Sequence, residues 1–454
     1  MKIPPSLLSS LEQLPGFNET SFLDVHESGK QVTSVRVNPG KIPSESTGGL
    51  LSLIPSVQSG IPWTDFGYYL SERPSFTFDP LFHAGCYYVQ EASSMFLEHV
   101  LKQTVNLETP LKVLDLCAAP GGKSTHILSL LSEDSFLVSN EVIRTRVNVL
   151  KDNIIKWGNP NVIVTNNDPQ DFSKLEGYFD VIVIDAPCSG SGLFRRDPSA
   201  IEEWSENNVE LCSHRQQRIL ADAWPALKTN GIIIYSTCSY SKQEDENICS
   251  WAKSDLGAEI ISLDVPSNWG IIPSGGGYRF WPDKVEGEGF FISCFQKNNE
   301  TDEVDVRIKK QPAAVAKNDL VYINDWISPG DWEFIRHNET VYAWPKHAAT
   351  DFTFILQELR VIYSGIRAGE LMRNKLIPDH ALAMSAFTSN NIKRIEVNLP
   401  DAIAYLQRKD LHFPKEKTGW QLISYDGYNL GWVNILSSRT NNYYPKELRI
   451  LKDK

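Results

Sequence analysis

The stretch LKVLDLCAAPGGKSTHILSLL, residues 111–131, decides the fold class. It begins with LKVLDLC, a short apolar run typical of a buried strand, and ends with STHILSLL, which has the spacing of a helix. Between them, small residues let the backbone approach a ligand, and a helix N-terminus offers unpaired N–H groups. The turn matches neither GxGxxG nor the phosphate-binding GxxxxGK[ST] loop. The stretch predicts the first strand–turn–helix unit of a ligand-binding α/β sheet.

The same alternation of strand and helix continues downstream. Further strands are predicted in SFLVSNE (135–141), NVIVTNND (161–168), FDVIVIDAP (179–187), GIIIYSTC (231–238) and GEGFFISCFQK (287–297). Helices are predicted over 144–158 and 206–227, and Ser241-Lys-Gln-Glu244 has the pattern of a capping box that opens another helix. Short apolar strands alternating with helices predict a doubly wound, Rossmann-like parallel sheet covered on both faces.

The 454 residues exceed one ordinary core, and shifts in composition divide them into segments. Residues 1–105 mix short helical pieces with strand-like runs, and 106–298 contain the repeated strand–helix units. A polar, charged linker is predicted over 299–312. It is followed by a helix-bearing segment, 313–388, and a strand-rich end, 389–454.

Composition and charge narrow the possible classes of protein. Hydrophobic residues make up 41% and charged residues 22%, as in globular proteins, and no apolar run approaches the ~18 residues of a membrane helix. The N-terminus lacks the pattern of a secretory signal, so we expect a cytoplasmic protein without membrane contact. Seven cysteines without a CxxC pair, and nine scattered histidines, argue against a disulfide framework and a metal site.

The net charge of −12 weakens the expectation of a nucleic-acid partner. The charge is unevenly spread, however, because residues 311–454 carry 18 Lys and Arg against 16 Asp and Glu. The last stretch, RTNNYYPKELRILKDK, is basic and aromatic. RNA binding along a local basic groove therefore stays open.

Three strand ends form a candidate cofactor site. The glycine turn comes first, Glu141 follows the second strand, where a carboxylate would bind ribose hydroxyls, and Asp168 follows the third, within reach of an adenine ring. Glycine turns and strand-end acids are common in any doubly wound fold, but together they favour a nucleoside without a pyrophosphate, such as S-adenosylmethionine. The candidate cofactor-binding residues from these three strand ends are Cys117, Ala118, Ala119, Pro120, Gly121, Gly122, Lys123, Glu141 and Asp168.

Two cysteines stand at the ends of the next strands. Asp185 and Cys188 lie in DAPCSG after the fourth strand, and Cys238 follows the fifth. Beside a methyl donor, a thiolate can add to carbon 6 of cytosine and make carbon 5 nucleophilic, if an acid gives a proton to ring nitrogen 3. After methyl transfer, a further group must assist the elimination that releases the thiol. The alternative is two cysteines placed by chance. The other thiols, Cys86, Cys212, Cys249 and Cys294, fit that alternative because they lie within element patterns.

These motifs resemble the Sun-type RNA cytosine-5 methyltransferases in type and order. The resemblance rests on LDLCAAPGGKSTHI (114–127), NNDPQDF (166–172), DAPCSGSGLFRRDP (185–198), YSTCSYSKQEDENI (235–248) and YRFWPDKVEGEGFFISCF (278–295). RVNP (36–39) and VQEASSM (89–95) resemble the family's N-terminal extension. The tail, residues 424–450, resembles the PUA-like module of its bacterial members that act on small-subunit ribosomal RNA.

The resemblance implies an S-adenosylmethionine-dependent methyltransferase core, an α+β RNA-recognition-like N-terminal extension and a β-rich PUA-like C-terminal module. It implies that Cys238 is the nucleophile, that Cys188 assists product release and that Asp185 contacts both the base and the cofactor. Residues 313–388 would be an intermediate RNA-binding region. The expected substrate is small-subunit (16S) ribosomal RNA or an assembling 30S particle, and we expect a monomer. Candidate RNA contacts are Arg195, Arg196, Arg439, Tyr443, Tyr444 and Lys446.

Three alternatives remain at this point. Transfer RNA is a rival substrate, because the core motifs do not report which RNA binds. A ribosome-assembly factor that binds RNA without turnover is a second alternative, although a pure binder has no need of two strand-end thiols. A nicotinamide-dependent oxidoreductase is the third, and the absent dinucleotide glycine pattern disfavours it.

Overall fold

A computed structural model describes residues 3–42, 54, 56–413 and 418–453 of the chain. Parts of the stretch 40–80, between the RVNP and VQEASSM motifs, lie outside these ranges. None of the helices within them combines the length and the apolar character needed to cross a membrane.

The N-terminal extension is a small α+β unit. Its strands form an antiparallel sheet in the order β2-β3-β1-β4, where β1 is Thr33–Val37, β2 Val57–Gly60, β3 Gly67–Leu70 and β4 Tyr87–Val89. Its helices are α1 (Pro5–Leu11), α2 (Glu19–Glu27) and α3 (Pro80–His83). Helices α1 and α2 pack on the catalytic region, where the Phe22 ring lies 5.2 Å from that of Tyr240.

The catalytic region is built on one large sheet. Its strands are β5 (Lys112–Asp115), β6 (Phe136–Asn140), β7 (Val162–Thr165), β8 (Phe179–Asp185), β9 (Leu227–Thr237), β10 (Glu259–Ile260), β11 (Ile272–Ser274), β12 (Gly277–Phe280) and β13 (Phe290–Gln296). The order β11-β12-β13-β9-β8-β5-β6-β7 places five parallel strands, β9-β8-β5-β6-β7, in the middle. Strand β13 runs antiparallel to β9, as expected for a late strand that closes the sheet.

Helices cover both faces of this sheet, and each face has its own hydrophobic core. They are α4 (Leu97–Thr104), α5 (Gly122–Leu128), α6 (Arg144–Trp157), α7 (Ala200–Glu203), α8 (Glu206–Ala223) and α9 (Glu246–Asp255). The prediction of a doubly wound core is confirmed. The carboxyl ends of β5, β6, β8 and β9 meet at one edge, where ligands bind in such folds.

The predicted capping box at Ser241–Glu244 is wrong. Helix α9 begins only at Glu246, its N-cap residue Asp245 makes no side-chain cap, and the Ser241 hydroxyl has no partner. The Glu244 side chain turns inward to the loops after β8 and β9 instead. Tertiary hydrogen bonds therefore override a local helix-start pattern.

Residues 313–388 bear helices, as expected, but they also contain five strands that were not predicted. They contain β14 (Trp332–His337), β15 (Thr340–Pro345), β16 (Val361–Ser364), β17 (Ile366–Met372) and β18 (Lys375–Pro378), with helices α10 (Ala349–Glu358) and α11 (His380–Met384). Strands β14-β15-β17-β18 form an antiparallel sheet, but β16 joins the edge of the catalytic sheet beside β7. Helix α10 also packs there, since Asp351 accepts hydrogen bonds from Lys112 and Tyr178. Part of this segment therefore completes the catalytic core.

The C-terminal module is rich in strands, as expected. It contains β19 (Arg394–Glu396), β20 (Gly419–Tyr425), β21 (Tyr428–Ile435), β22 (Thr440–Asn442) and helix α12 (Leu399–Leu406), with the sheet order β19-β20-β21-β22. Val35, Val37 and Tyr87 of the N-terminal extension share one hydrophobic core with Tyr405 and Val433 of this module. The two ends of the chain thus pack together beside the catalytic sheet.

Candidate active site

The glycine turn leads directly from β5 into α5. Gly121 precedes the helix with φ of 111°, a left-handed conformation that glycine adopts without strain. A Cβ atom there would also lie 3.3 Å from Leu150 Cδ1. The turn therefore requires glycine at this position to point the first N–H groups of α5 at the crevice.

Asp115, the last residue of β5, is fully buried under the turn. Its Oδ2 accepts a hydrogen bond from Ser124 Oγ at 2.6 Å, while Oδ1 has no partner. Burial raises the pKa of Asp115 to about 7. A buried acceptor without a protein donor, beside a helix N-terminus, fits a ligand with donor groups such as S-adenosylmethionine. Asp115 is not among the residues predicted from the sequence, although its position as the last strand residue before the glycine turn is a signal that points to the site.

Glu141 and Asp168 lie at the ends of the neighbouring strands β6 and β7. Glu141 Oε1 accepts a hydrogen bond from the Ile143 N–H at 2.8 Å, and Oε2 lies 3.5 Å from Arg146 Nη1. Arg146 also donates to the Ala119 carbonyl at 2.6 Å, so it links Glu141 to the glycine turn. Asp168 caps the following turn through the Gln170 N–H and remains partly exposed.

The two strand-end thiols lie side by side. Cys188 Sγ and Cys238 Sγ are 3.0 Å apart, and both side chains are partly exposed. The hydrogen bond with Cys238, together with burial, raises the pKa of the Cys188 thiol well above its usual range. The Gly192 N–H donates to the Cys238 carbonyl at 2.9 Å and joins the two loops. Residues 50 positions apart in sequence are thus brought into contact.

Asp185 connects the thiol pair with the cofactor turn. Its Oδ2 lies 2.8 Å from Lys123 Nζ, and its Oδ1 accepts a hydrogen bond from Ser236 Oγ at 2.8 Å. Lys123 stands in the glycine turn, and Ser236 faces Asp185 across β8 and β9. A carboxylate, an ammonium group and two thiols therefore lie at or just after the carboxyl ends of the adjacent strands β5, β8 and β9. The Lys123–Asp185 pairing was not predicted, because no sequence pattern specifies a contact between these turns.

Comparison with known proteins supports this assignment of the fold. Residues 102–296 match the family described as 16S rRNA methyltransferase RsmB/F. The ribosomal RNA small subunit methyltransferase F of Shewanella piezotolerans is 30% identical over 442 residues, which cover 93% of this chain and 91% of the relative. The chain belongs to the 16S rRNA methyltransferase RsmB/F family. The corresponding relative from Aliivibrio fischeri is 30% identical over 408 residues, covering 86% of this chain and 85% of that protein.

The terminal regions also match this family. Residues 3–92 match the N-terminal domain of 16S rRNA methyltransferase RsmF, and 392–450 match the methyltransferase RsmF PUA domain. A methyltransferase homolog protein from Pyrococcus horikoshii is 29% identical, with a TM-score of 0.53, covering 65% of this chain and 100% of that one. NSun6 from P. horikoshii with SFG shares the fold, with a TM-score of 0.55, 20% identity, and coverage of 65% and 99%.

Membership of the RsmB/F family confirms the predicted class. The chain is an S-adenosylmethionine-dependent RNA methyltransferase, and methylation of carbon 5 of cytosine is the chemistry that fits this family. Cys86, Cys212, Cys249 and Cys294 are buried, as expected for thiols without a chemical role. Burial also raises the pKa of the Cys117 thiol in the glycine turn, which favours its neutral form. Across the described ranges, no group of three or more His, Cys, Asp or Glu side chains is arranged to hold a metal ion.

Two of the predicted RNA contacts of this RsmB/F chain are corrected. Arg195 is buried, with its guanidinium donating to the carbonyls of Gly287 and Lys30, so it is not free to hold a phosphate. Tyr444 is also buried: its hydroxyl lies 3.3 Å from His83 Nδ1, at the junction of the two terminal modules. The other candidates are exposed and stay predictions: Arg196, Arg439, Tyr443 and Lys446.

Proposed function

We propose that this chain methylates carbon 5 of a cytosine in small-subunit (16S) ribosomal RNA through a covalent adduct at Cys238. Cys188 and Cys238 carry the proposal, because their sulfur atoms lie 3.0 Å apart at the crevice that also contains the cofactor turn. A binding factor without turnover has no chemical use for such a pair. The relatives named as ribosomal RNA small subunit methyltransferase F support the choice of RNA, and a transfer RNA substrate is the remaining alternative.

The first step forms a bond between Cys238 Sγ and carbon 6 of the cytosine. Cys188 keeps its proton, because its pKa is raised by the hydrogen bond with Cys238 and by burial, and it donates this hydrogen bond to the nucleophilic sulfur. Addition of the thiolate places electron density on carbon 5 and on nitrogen 3 of the ring. Asp185, held by Lys123 and Ser236, would accept the proton that Cys238 loses and pass it to nitrogen 3 of the ring.

The cofactor site is formed by this chain's own strand ends. The glycine turn with Asp115, Glu141 and Asp168 would hold S-adenosylmethionine, which supplies an electrophilic methyl group when bound. Elimination then transfers the proton on carbon 5 to a water molecule and breaks the bond between Cys238 Sγ and carbon 6, with the electron pair leaving on sulfur. The ring double bond is restored, and the nitrogen 3 proton returns through Asp185 to Cys238. Cys188 assists this release, and its contact with Cys238 places it beside the departing sulfur.

The target base must be reached within folded RNA. Unstacking a base costs a few kcal/mol, and less where the cytosine already lies in a loop. The exposed Arg196, Arg439, Tyr443 and Lys446 are our candidates for RNA contact. We place the activity in the cytoplasm, where ribosomal RNA is assembled, and we expect the chain to act as a monomer.

The adduct is tested on a denaturing gel of wild-type, Cys188→Ala and Cys238→Ala proteins purified from cells. We expect Cys188→Ala to run as a nuclease-sensitive adduct that disappears in the Cys188→Ala/Cys238→Ala double variant. Cys212→Ala is the matched control, because that thiol lies on α8 and not at the thiol pair. If no variant traps RNA and none transfers a labelled methyl group, the catalytic proposal is wrong.

The RNA substrate is tested separately by bisulfite mapping of ribosomal RNA from a deletion strain. We expect one 5-methylcytosine to be lost from the small-subunit RNA and to return when the wild-type gene is restored. Complementation with the Cys238→Ala gene should fail to restore it. An unchanged map across all ribosomal RNAs, with a lost methyl group in transfer RNA, would move the target to the alternative substrate.

A further inference from the structure

Glu244 is a fully buried carboxylate beneath the two thiol loops. Its Oε1 accepts hydrogen bonds from the Ser189 N–H at 2.8 Å and from Gln216 Nε2 at 3.2 Å. Its Oε2 accepts hydrogen bonds from Ser189 Oγ at 2.5 Å and from Ser239 Oγ at 2.6 Å. Four donors thus converge on one side chain that the proposed chemistry does not use.

The donors come from the residues next to the thiols. Ser189 follows Cys188 directly, and Ser239 follows Cys238 directly. Gln216, on α8, also donates to the carbonyl of Pro187, the residue before Cys188. The carboxylate therefore contacts both thiol loops at once.

Glu244 forms no ion pair with Lys, Arg or His in the part of the chain that the structure describes, unlike its buried neighbours Asp245 and Glu246, which pair with Arg279. Burying a charge without a cation is costly, and hydrogen bonds to an ionised acceptor are the contacts that offset this cost. Burial raises the pKa of Glu244 even with these donors in place. Three of its four donors come from the two thiol loops, and the fourth, Gln216, also binds one of those loops, which indicates a role at the loops.

We propose that Glu244 is a positioning residue whose carboxylate holds the loops of Cys188 and Cys238 together, so that the two sulfur atoms remain in contact. The inference rests on the proposed function, because contact between the sulfurs matters only if both thiols act on one base. Glu244 itself touches neither sulfur through any of its four hydrogen bonds. It acts through Ser189 and Ser239.

Two substitutions distinguish the hydrogen-bonding role of Glu244 from the role of its charge. In Glu244→Gln, the amide oxygen can accept from Ser189 N and Gln216, and the NH₂ group can donate to the two serine hydroxyls, which accept as well as donate. In Glu244→Ala, all four bonds are lost and the four donors are left without this acceptor. Glutamine should therefore preserve the contact between the sulfurs, and alanine should lose it.

The test measures the proximity of the sulfurs without using RNA or methyl transfer. Diamide accepts two electrons and two protons from the two thiols of the full-length protein, and one S–S bond forms between Cys188 and Cys238. The rate of disulfide formation is followed by peptide mass spectrometry. It is divided by the rate at which iodoacetamide alkylates each thiol, which corrects for differences in the intrinsic reactivity of the thiols. We expect Glu244→Gln to stay within about threefold of wild type and Glu244→Ala to fall by at least about tenfold.

Methyl transfer should follow the same order, with glutamine retaining most activity and alanine losing it. Glu396→Ala is the matched control: Glu396 accepts from the Ser424 hydroxyl at 2.7 Å and the Gly427 N–H at 3.3 Å, but lies in the C-terminal module. It should leave the disulfide rate unchanged. Melting temperature and S-adenosylmethionine binding report whether each variant is folded.

The possible outcomes separate this inference from the proposed function. A wild-type disulfide rate in folded Glu244→Ala, or equal loss in the glutamine and alanine variants, overturns the positioning role whatever the enzyme does. If wild type lacks methyl transfer but shows the expected disulfide rates, the proposed function fails and the positioning role stands. Should Glu244→Ala not fold, Ser189→Ala/Ser239→Ala removes both hydroxyl donors and is expected to slow the reaction by at least about tenfold.

Discussion

The two halves of the active site are supported by two buried arginines with opposite surroundings. Arg279, on β12, supports the thiol half: it donates to the Tyr240 carbonyl at 3.0 Å and binds Glu246 at 2.5 and 2.6 Å. It also lies 3.1 Å from Asp245, which accepts a hydrogen bond from Thr237, the residue before Cys238. Burial acts to lower the pKa of Arg279, but its two carboxylate partners outweigh this and raise it.

Arg36, on β1, supports the cofactor half and has only neutral partners. It donates to Gln90 Oε1 at 2.8 Å and, on α5, to Thr125 Oγ1 at 2.6 Å and Ser129 Oγ at 3.1 Å. Its guanidinium also lies 4.5 Å from the centre of the Trp157 ring, and burial lowers its pKa to about 9. The N-terminal extension thus holds the helix of the cofactor turn by hydrogen bonds to neutral acceptors, and Glu98 attracts Arg36 electrostatically without being one of its hydrogen-bond partners. The thiol half is charge-compensated within the catalytic sheet, whereas the cofactor half depends on another module.

The largest effect should come from a substitution that abolishes the chemistry of the thiol half and leaves cofactor binding in the other half intact. Cys238→Ala removes the nucleophile, so we expect methyl transfer to fall by about 10⁴-fold or more, as for loss of a covalent nucleophile in other enzymes. Binding of S-adenosylmethionine, measured by calorimetry, should change by less than about threefold, because the cofactor half is built on other strands. Substantial residual transfer, or a matching loss of cofactor binding, would contradict this separation.

The second effect tests the charge-compensated half. Arg279→Met leaves Asp245 and Glu246 buried without a cation, so we expect the free energy of unfolding to fall by about 3–5 kcal/mol. Chemical denaturation measures this loss. Arg336→Met is the matched control, because Arg336 pairs with Asp319 and Glu339 at the surface, where such pairs contribute about 0–1 kcal/mol. Equal losses in the two variants would show that the buried carboxylates do not depend on Arg279.

Sequence patterns predicted the catalytic sheet well, and local signals explain why. The apolar runs at β5, β6, β7, β8 and β9 are short and separated by clear turns, so both their type and their order could be read. The meeting of Cys188 and Cys238 follows from that order, because the ends of neighbouring parallel strands share one edge. Their contact at 3.0 Å is a finding of the structure.

Features that depend on contacts between distant parts of the sequence could not be predicted from local patterns. The pairing of β16 with β7 joins segments almost 200 residues apart, and nothing within Val361–Ser364 specifies that partner. The position of Glu244 fits a capping box, but its carboxylate accepts hydrogen bonds from the buried Ser189 and Ser239 instead of capping α9. Arg195 and Tyr444 had the residue types of RNA contacts, yet the fold buries both. Residue type and spacing do not report burial when the packing partner comes from another module.

A smaller effect is expected at the neutral half. Arg36→Met removes donors from neutral acceptors and leaves no buried charge behind, so we expect a loss of about 1–3 kcal/mol in stability. The cofactor turn should loosen with α5, so the dissociation constant for S-adenosylmethionine, measured by calorimetry, should rise by about tenfold. Arg73→Met is the matched control on the same module, because Arg73 is exposed over the Phe76 ring. If both arginine variants weaken cofactor binding equally, the neutral network does not hold the turn.

The smallest expected effect is the pH dependence of stability that arises from Asp115 in the cofactor half. The pKa of Asp115 is raised by burial from 3.8 to about 7, so the folded chain binds a proton that the unfolded chain has already lost between these values. Stability from this group is therefore present below pH about 4 and is lost as pH rises toward 7. Asp115→Asn cannot ionise, so its melting temperature should exceed that of wild type by a few degrees at pH 8 and converge with it near pH 4. Its binding of S-adenosylmethionine should weaken, because the unpartnered Oδ1 is replaced. A difference in melting temperature that does not vary with pH would show that burial does not raise the pKa of Asp115 in the folded chain.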